Sequence, residues 1–285
     1  MSVIKVNNIT NRDGTSGPVI AGIVTVSSSS HFVVPVGDTF RRSVIENVVD
    51  GGALIYFDFG NELSYSGIGA TITNLSEGKN NGEQVGGTYS SSQGGYIEFD
   101  GTADGDGIRF TQTGTNELSP GTGNFTMGCW VNFDAAKLYS TIQVLFGGYN
   151  GNSYFSVYFR TSSPYIQWAV RDSSVNEATA NVLDTTTVVA NKWYYVVGVR
   201  EGTTVSLYIN GNLSAEGTNS SLSNVSLSNA SLYYGTFTSN AVPSINFSSD
   251  SSEVDGKIAS GQYYSRALRP DEIQQNYNAL VGRYT

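Results

Sequence analysis

The chain has 285 residues, 39% of them apolar and only 14% charged, with 33 glycines and one cysteine. That length suits one large β domain or two ordinary ones and needs no staple, and the lone Cys129 excludes an intrachain disulfide framework and a thiolate metal cluster. A net charge of −9 disfavours nucleic acid and anionic membranes as partners, while the absence of an apolar run of about 18 residues and of an apolar leader after MSVIKVNN predicts cytoplasmic synthesis without a signal peptide.

In chain order, residues 1–50 come first, as short apolar runs that never accumulate a core. Ile9 ends one run; Gly14, Gly17 and Pro18 break it; Ile23 lies in the next; Ser27 to Ser30 break that; and Phe32 and Val34 precede a Pro35/Gly37 turn. Isolated strands this short are marginal in water, so they need a partner surface: the body, a neighbouring copy or another protein. Residues 1–45 hold four basic residues, Lys5, Arg12, Arg41 and Arg42, against Asp13 and Asp38, a net of +2 that leaves −11 for the remainder.

From about Ala53 regular strand patterns follow. YIEFD (96–100) puts Ile97 and Phe99 on one face, and FTMGCWVNF (125–133) puts Phe125, Met127, Cys129, Val131 and Phe133 on one face with Trp130 on the other. YFSVYFR, PYIQWAVR and WYYVVGVR are aromatic and β-branched, as strands prefer. In VSLYINGNLSAEG, Asn210-Gly211 predicts a tight hairpin turn, since both residues tolerate positive φ. One helix is predicted near the C-terminus: Pro270 suits its first turn, Asp271 and Glu272 complement its dipole, and Ile273, Tyr277 and Leu280 share a face. Many antiparallel strands with one short helix predict an all-β sandwich.

Three groups of residues are candidates for chemistry. Glu98 and Asp100, two apart on a strand, share a face and could pair carboxylates for glycoside hydrolysis. Asp100, Asp104 and Asp106 in DGTADGDG could gather oxygen ligands for calcium, with Asp58 as an additional donor. Tyr149, Tyr154, Tyr158, Tyr165 and Trp168 concentrate aromatic rings on which sugars could stack; Tyr149, Tyr154, Tyr165 and Trp168 are the expected glycan contacts. Cys129 reads as a small buried hydrophobe, and His31, the only histidine, is remote from it, so triad chemistry is not expected.

Residues 57–110 carry an aspartate-led turn at Asp58, Asn74-Leu75-Ser76, Asn80-Asn81-Gly82, and Phe99-Asp100-Gly101-Thr102 with Asp104. With NFTMGCWVNF, NKWYYVVGVREGTTVSLYINGNLSAEG and GKIASGQYYSRALRPDEI in order, this set resembles the laminin G-like, concanavalin A-like jelly-roll family over about residues 54–285. The resemblance implies a two-sheet jelly roll that binds carbohydrate or protein, sometimes with calcium. Glycosidases of this type carry a further carboxylate two or three residues after such an aspartate; here Thr102 and Ala103 stand there, so no enzyme is expected.

ITNRDGTSGP followed by SSSSHFVVPVGDT resembles the N-terminal region of structural proteins in the virions of tailed phages, notably those of cyanobacteria and other marine bacteria. That implies an attachment arm over 1–50, with Ile9, Arg12, Pro18, Ile23, Phe32 and Val34 as contacts, followed by a laminin G-like jelly roll over 54–285. The expected protein sits on the virion surface as a capsid decoration or fibre. It is homo-oligomeric and trimeric, held to capsid or tail proteins, and binds host or environmental glycans, with no cofactor beyond calcium. A free carbohydrate-binding module and a glycosidase are the alternatives.

Overall fold

The computed structural model describes residues 48–76, 80–102, 106–112, 117–163, 165–227, 231–236 and 253–284; the six arm positions and Asp104 lie outside them. Sixteen strands and one α-helix are formed by the described residues. The strands are β1 (Ala53–Asp58), β2 (Thr71–Ile72), β3 (Gly82–Val85), β4 (Thr88–Ser90), β5 (Tyr96–Asp100), β6 (Gly107–Thr111), β7 (Phe125–Phe133) and β8 (Gln143–Asn150). They continue as β9 (Ser153–Phe159), β10 (Ile166–Arg171), β11 (Glu177–Val182), β12 (Trp193–Glu201), β13 (Thr204–Ile209), β14 (Asn212–Thr218), β15 (Ser231–Tyr234) and β16 (Asp255–Tyr264), before α1 (Pro270–Leu280).

Two eight-stranded antiparallel sheets result. The first has the order β14-β13-β12-β7-β16-β5-β4, with β1 also on β16; the second runs β11-β10-β9-β8-β15-β6-β3-β2. Strands near in sequence are repeatedly split between sheets, and this crossing over is the jelly-roll wrap. β16 can serve three neighbours because it is long and kinked: its first half pairs with β5, its second half with β1, and the register shifts between Ile258 and Ser260 along β7.

The inner faces meet in a core whose largest members are aromatic: Phe57, Phe99, Phe110, Phe125, Phe155, Trp168, Tyr234 and Tyr263. Phe155 and Tyr263 stack with centroids 6.1 Å apart and planes 3° from parallel. Each such ring contributes about 1.5 to 3 kcal/mol by leaving water. Cys129 is fully buried in this core, as the alternation of β7 predicts.

A second apolar layer lies on the other side of the first sheet. Helix α1 places Ile273 and Leu280 over Trp130, Tyr195 and Tyr264, so all nine residues of β7 are buried on both faces. The helix starts where expected: Pro270 occupies its first turn, and the Glu272 carboxylate accepts from the Arg269 backbone N–H at 2.9 Å. Asn210 and Gly211 take φ of 52° and 79° between β13 and β14, the double positive-φ turn that asparagine-glycine predicts. No helix among the described residues is long and apolar enough to cross a membrane.

Candidate functional site

Side chains alternate along a strand, so each core residue of β8 to β11 leaves a neighbour pointing away from the sandwich. On this outer face the register sets Tyr149 opposite Tyr154, Tyr158 opposite Gln167, Gln167 opposite Asn181, and Arg171 opposite Glu177. The rings of Tyr154 and Tyr158 lie with Val144 and Ala169 in a small buried cluster, and Tyr149 packs against it.

Polar bonds tie this face across three strands, β9 to β11. The Tyr154 hydroxyl donates to the Glu177 carboxylate, and the Tyr158 hydroxyl donates to Gln167 Oε1. Gln167 Nε2 donates to Asn181 Oδ1 at 2.7 Å, and Asn181 Nδ2 donates to Thr179 Oγ1 at 3.2 Å. The guanidinium of Arg160 lies 5.9 Å from the Tyr158 ring centre and that of Arg171 5.9 Å from the Tyr154 ring centre. Burial, reinforced at Tyr154 by the hydrogen bond to Glu177, pushes both phenols well above their ordinary range, so they stay protonated donors. What remains accessible is Tyr149, Arg160, Arg171, Glu177, Thr179 and Asn181. Such a set of guanidinium, carboxylate, amide and hydroxyl groups is suited to hydrogen-bonding a polar ligand.

Two of the four expected glycan contacts, Tyr149 and Tyr154, are brought together here. Tyr154 is only 1% exposed, so it orients Glu177 and offers no open ring. Trp168 is a correction: it faces the opposite way, fully buried in the core, and its indole N–H donates to the Val199 carbonyl at 3.0 Å. The parity of IQWAVR makes Ile166, Trp168 and Val170 the inward set. Tyr165 packs edge-on against Tyr139, centroids 5.7 Å apart, outside the cluster. Arg160, Gln167, Arg171, Glu177 and Asn181 were not singled out from the sequence, although the polar residues of QWAVR mark the outward positions of that strand.

Glu98 stands on the outer face of the first sheet, 3.3 Å from Lys257 Nζ, which lies equally 3.3 Å from Asp134. Burial opposes the ammonium, but the charges of Asp134 and Glu98 outweigh it and raise Lys257 above its usual value. Glu98 and Asp134 thus share one ammonium on this face.

The calcium candidates are engaged elsewhere. Asp100 Oδ1 accepts from the backbone and hydroxyl of Thr102, and Asp106 Oδ2 accepts from the Gly87 N–H at 3.3 Å. Asp58 is fully buried and paired with Arg283 at 2.7 Å. Among the described residues no three carboxylate, histidine or cysteine side chains converge as metal ligands, and Asp104, the third calcium candidate, lies outside those residues.

Two facing jelly-roll sheets and a polar, tyrosine-lined outer face define a lectin-type sandwich. Residues 100–274 match the family described as the concanavalin A-like lectin/glucanases superfamily, and the chain belongs to it. No curated protein matches the sequence. Among solved structures, the receptor binding domain of botulinum neurotoxin C/D mosaic serotype is similar at TM-score 0.62 and 14% identity, covering 82% of this chain and 52% of that one. The binding domain of Paraclostridial Mosquitocidal Protein 1 is similar at TM-score 0.61 and 13% identity, covering 81% and 52%. Trypanosoma rangeli sialidase in complex with sialic acid is similar at 0.57 and 15%, covering 84% and 34%. The chain thus spans about half the length of the toxin domains and a third of the sialidase, and at these identities the likeness is one of fold.

Proposed function

We propose that this protein is a surface component of a tailed-phage virion that binds a glycan with the outer face of its second sheet and performs no catalysis. The observation that carries the binding reading is the chain of bonds from Tyr158 through Gln167 to Asn181, with Glu177 held by Tyr154, which fixes polar groups before a ligand arrives. The lectin-type family and neighbours named as receptor-binding and sialic acid-bound proteins support it. The virion reading is supported by the resemblance of residues 1–50 to tailed-phage structural proteins, with those residues as the arm that joins a homotrimer to capsid or tail. A single shallow site gives weak affinity, which many copies on one particle raise to useful avidity.

Retention of the full-length protein on an immobilised polysaccharide panel tests the binding. Retention on at least one polysaccharide that Asn181→Ala weakens is expected; a protein that passes through the whole panel overturns it. Mass spectrometry of purified particles tests the location, and absence of the chain from them leaves a free adhesion module.

A further inference from the structure

Resting on the glycan reading above, we infer that the ligand of this face is an acidic saccharide whose anionic group is received by Arg160. The first observation is a division of charge between the sheets. Strands of the first sheet carry Asp58, Glu98, Asp100, Glu201, Glu216 and Asp255 against Arg200 and Lys257, a balance of −4. Those of the second carry Arg109 and Arg171 against Glu83 and Glu177, a balance of 0. On an acidic body, this is the face toward which an anion is drawn.

The second observation is how the arginines are used. Among the described residues, Arg109 pairs with Glu83 at 2.5 Å, Arg266 with Glu272 at 2.7 Å, Arg269 with Asp271 at 3.0 Å and Arg283 with Asp58 at 2.7 Å. Arg200 is spent on the carbonyls of Gly121, Gly123, Gly202 and Ser223, and Arg171 stands opposite Glu177. Arg160 has no carboxylate partner among the described residues; one of its nitrogens reaches Gln167 Oε1 at a long 3.4 Å. The amide of Gln167 is itself fixed by Tyr158 and Asn181, so this contact and the ring of Tyr158 hold the guanidinium half-exposed at the edge of the face. Its remaining N–H groups form a fork that matches a carboxylate or a sulfate. The sugar ring then lies along Thr179 and Asn181, whose accessible hydroxyl and amide suit hydroxyl groups.

The experiment compares retention of the full-length protein on polygalacturonate, on its methyl ester, on a sulfated galactan and on a neutral galactan. The expected result is retention on polygalacturonate or the sulfated galactan that methyl esterification abolishes and that weakens as salt rises. Arg160→Gln should weaken it about tenfold to a hundredfold, the loss of one charge-assisted contact, while Lys192→Gln, an exposed charge elsewhere, changes nothing. Sulfated against carboxylated polymer identifies the anion. Equal retention on neutral and acidic polymers overturns the inference and leaves the glycan reading standing. Equal losses from the arginine and lysine variants also overturn it, as general charge attraction, and retention on none of many polysaccharides removes both.

Discussion

Glu272 shows how much one side chain can hold when several donors converge on it. Arg266 grips both of its oxygens, at 2.8 and 2.7 Å, and the Arg269 backbone N–H donates at 2.9 Å. The hydrogen bonds from Arg266 lead the effect that lowers its acid from 4.5 to about 2, against the cost of burial. A carboxyl with a depressed folded value adds stability that is complete above the unfolded value and disappears as pH falls through the folded one. Glu272 therefore stabilises above pH 4.5 and loses that contribution between 4.5 and about 2. Asp100, Asp184 and Asp271 are also lowered, so the parent alone cannot isolate the pair. Urea unfolding of the parent and of Glu272→Gln over this window is expected to converge toward pH 2, with the parent more stable above pH 4.5. A constant gap at every pH would assign the difference to packing.

At the scale of elements, the strands 96–100 and 125–133, the Asn210-Gly211 turn and the start of α1 are legible because each rests on local chemistry: alternation, positive φ, or a proline followed by acids. What covers a strand is a different kind of fact. Alternation separates Trp130 from Cys129 in β7 but does not say that a helix 140 residues later will bury the Trp130 face. The same limit misdirects Trp168, since a period of two fixes two sets and leaves their direction to the polar members, Gln167 and Arg171. Asn276 is a further residue that pattern reading passes over. It is fully buried on α1, accepts from the Val49 N–H at 2.8 Å and donates to the Tyr264 hydroxyl at 3.0 Å, so it fastens the helix to the sheet and to the first described residues. Asn276→Ala leaves the Val49 donor without its acceptor, and a loss of about 2 kcal/mol is expected. Hydrogen exchange at Val49 should accelerate more than at β7 amides; equal protection in both proteins would show that the helix is held by apolar contact alone.

For the whole molecule, the proposed division of labour between an arm over residues 1–50 and the sandwich has a direct consequence. Among the described residues the two apolar layers run from Val48 to Tyr284, with Val48 and Val49 packed at the edge of the helix layer. A chain beginning at Val48 keeps all of these contacts, and it is expected to unfold cooperatively with a midpoint within a few degrees of the parent. It should also keep its single-site affinity for a soluble oligosaccharide, because the outer face of β8 to β11 is unaltered. What it should lose is oligomerisation and incorporation into particles, and with them avidity: on a densely coated surface its retention should fall about a hundredfold or more below that of the parent. Sedimentation and retention on soluble and immobilised forms of one saccharide separate these effects. A truncated chain that still sediments as an oligomer places the assembly surface on the sandwich, and one that remains on particles removes the arm from the account of attachment.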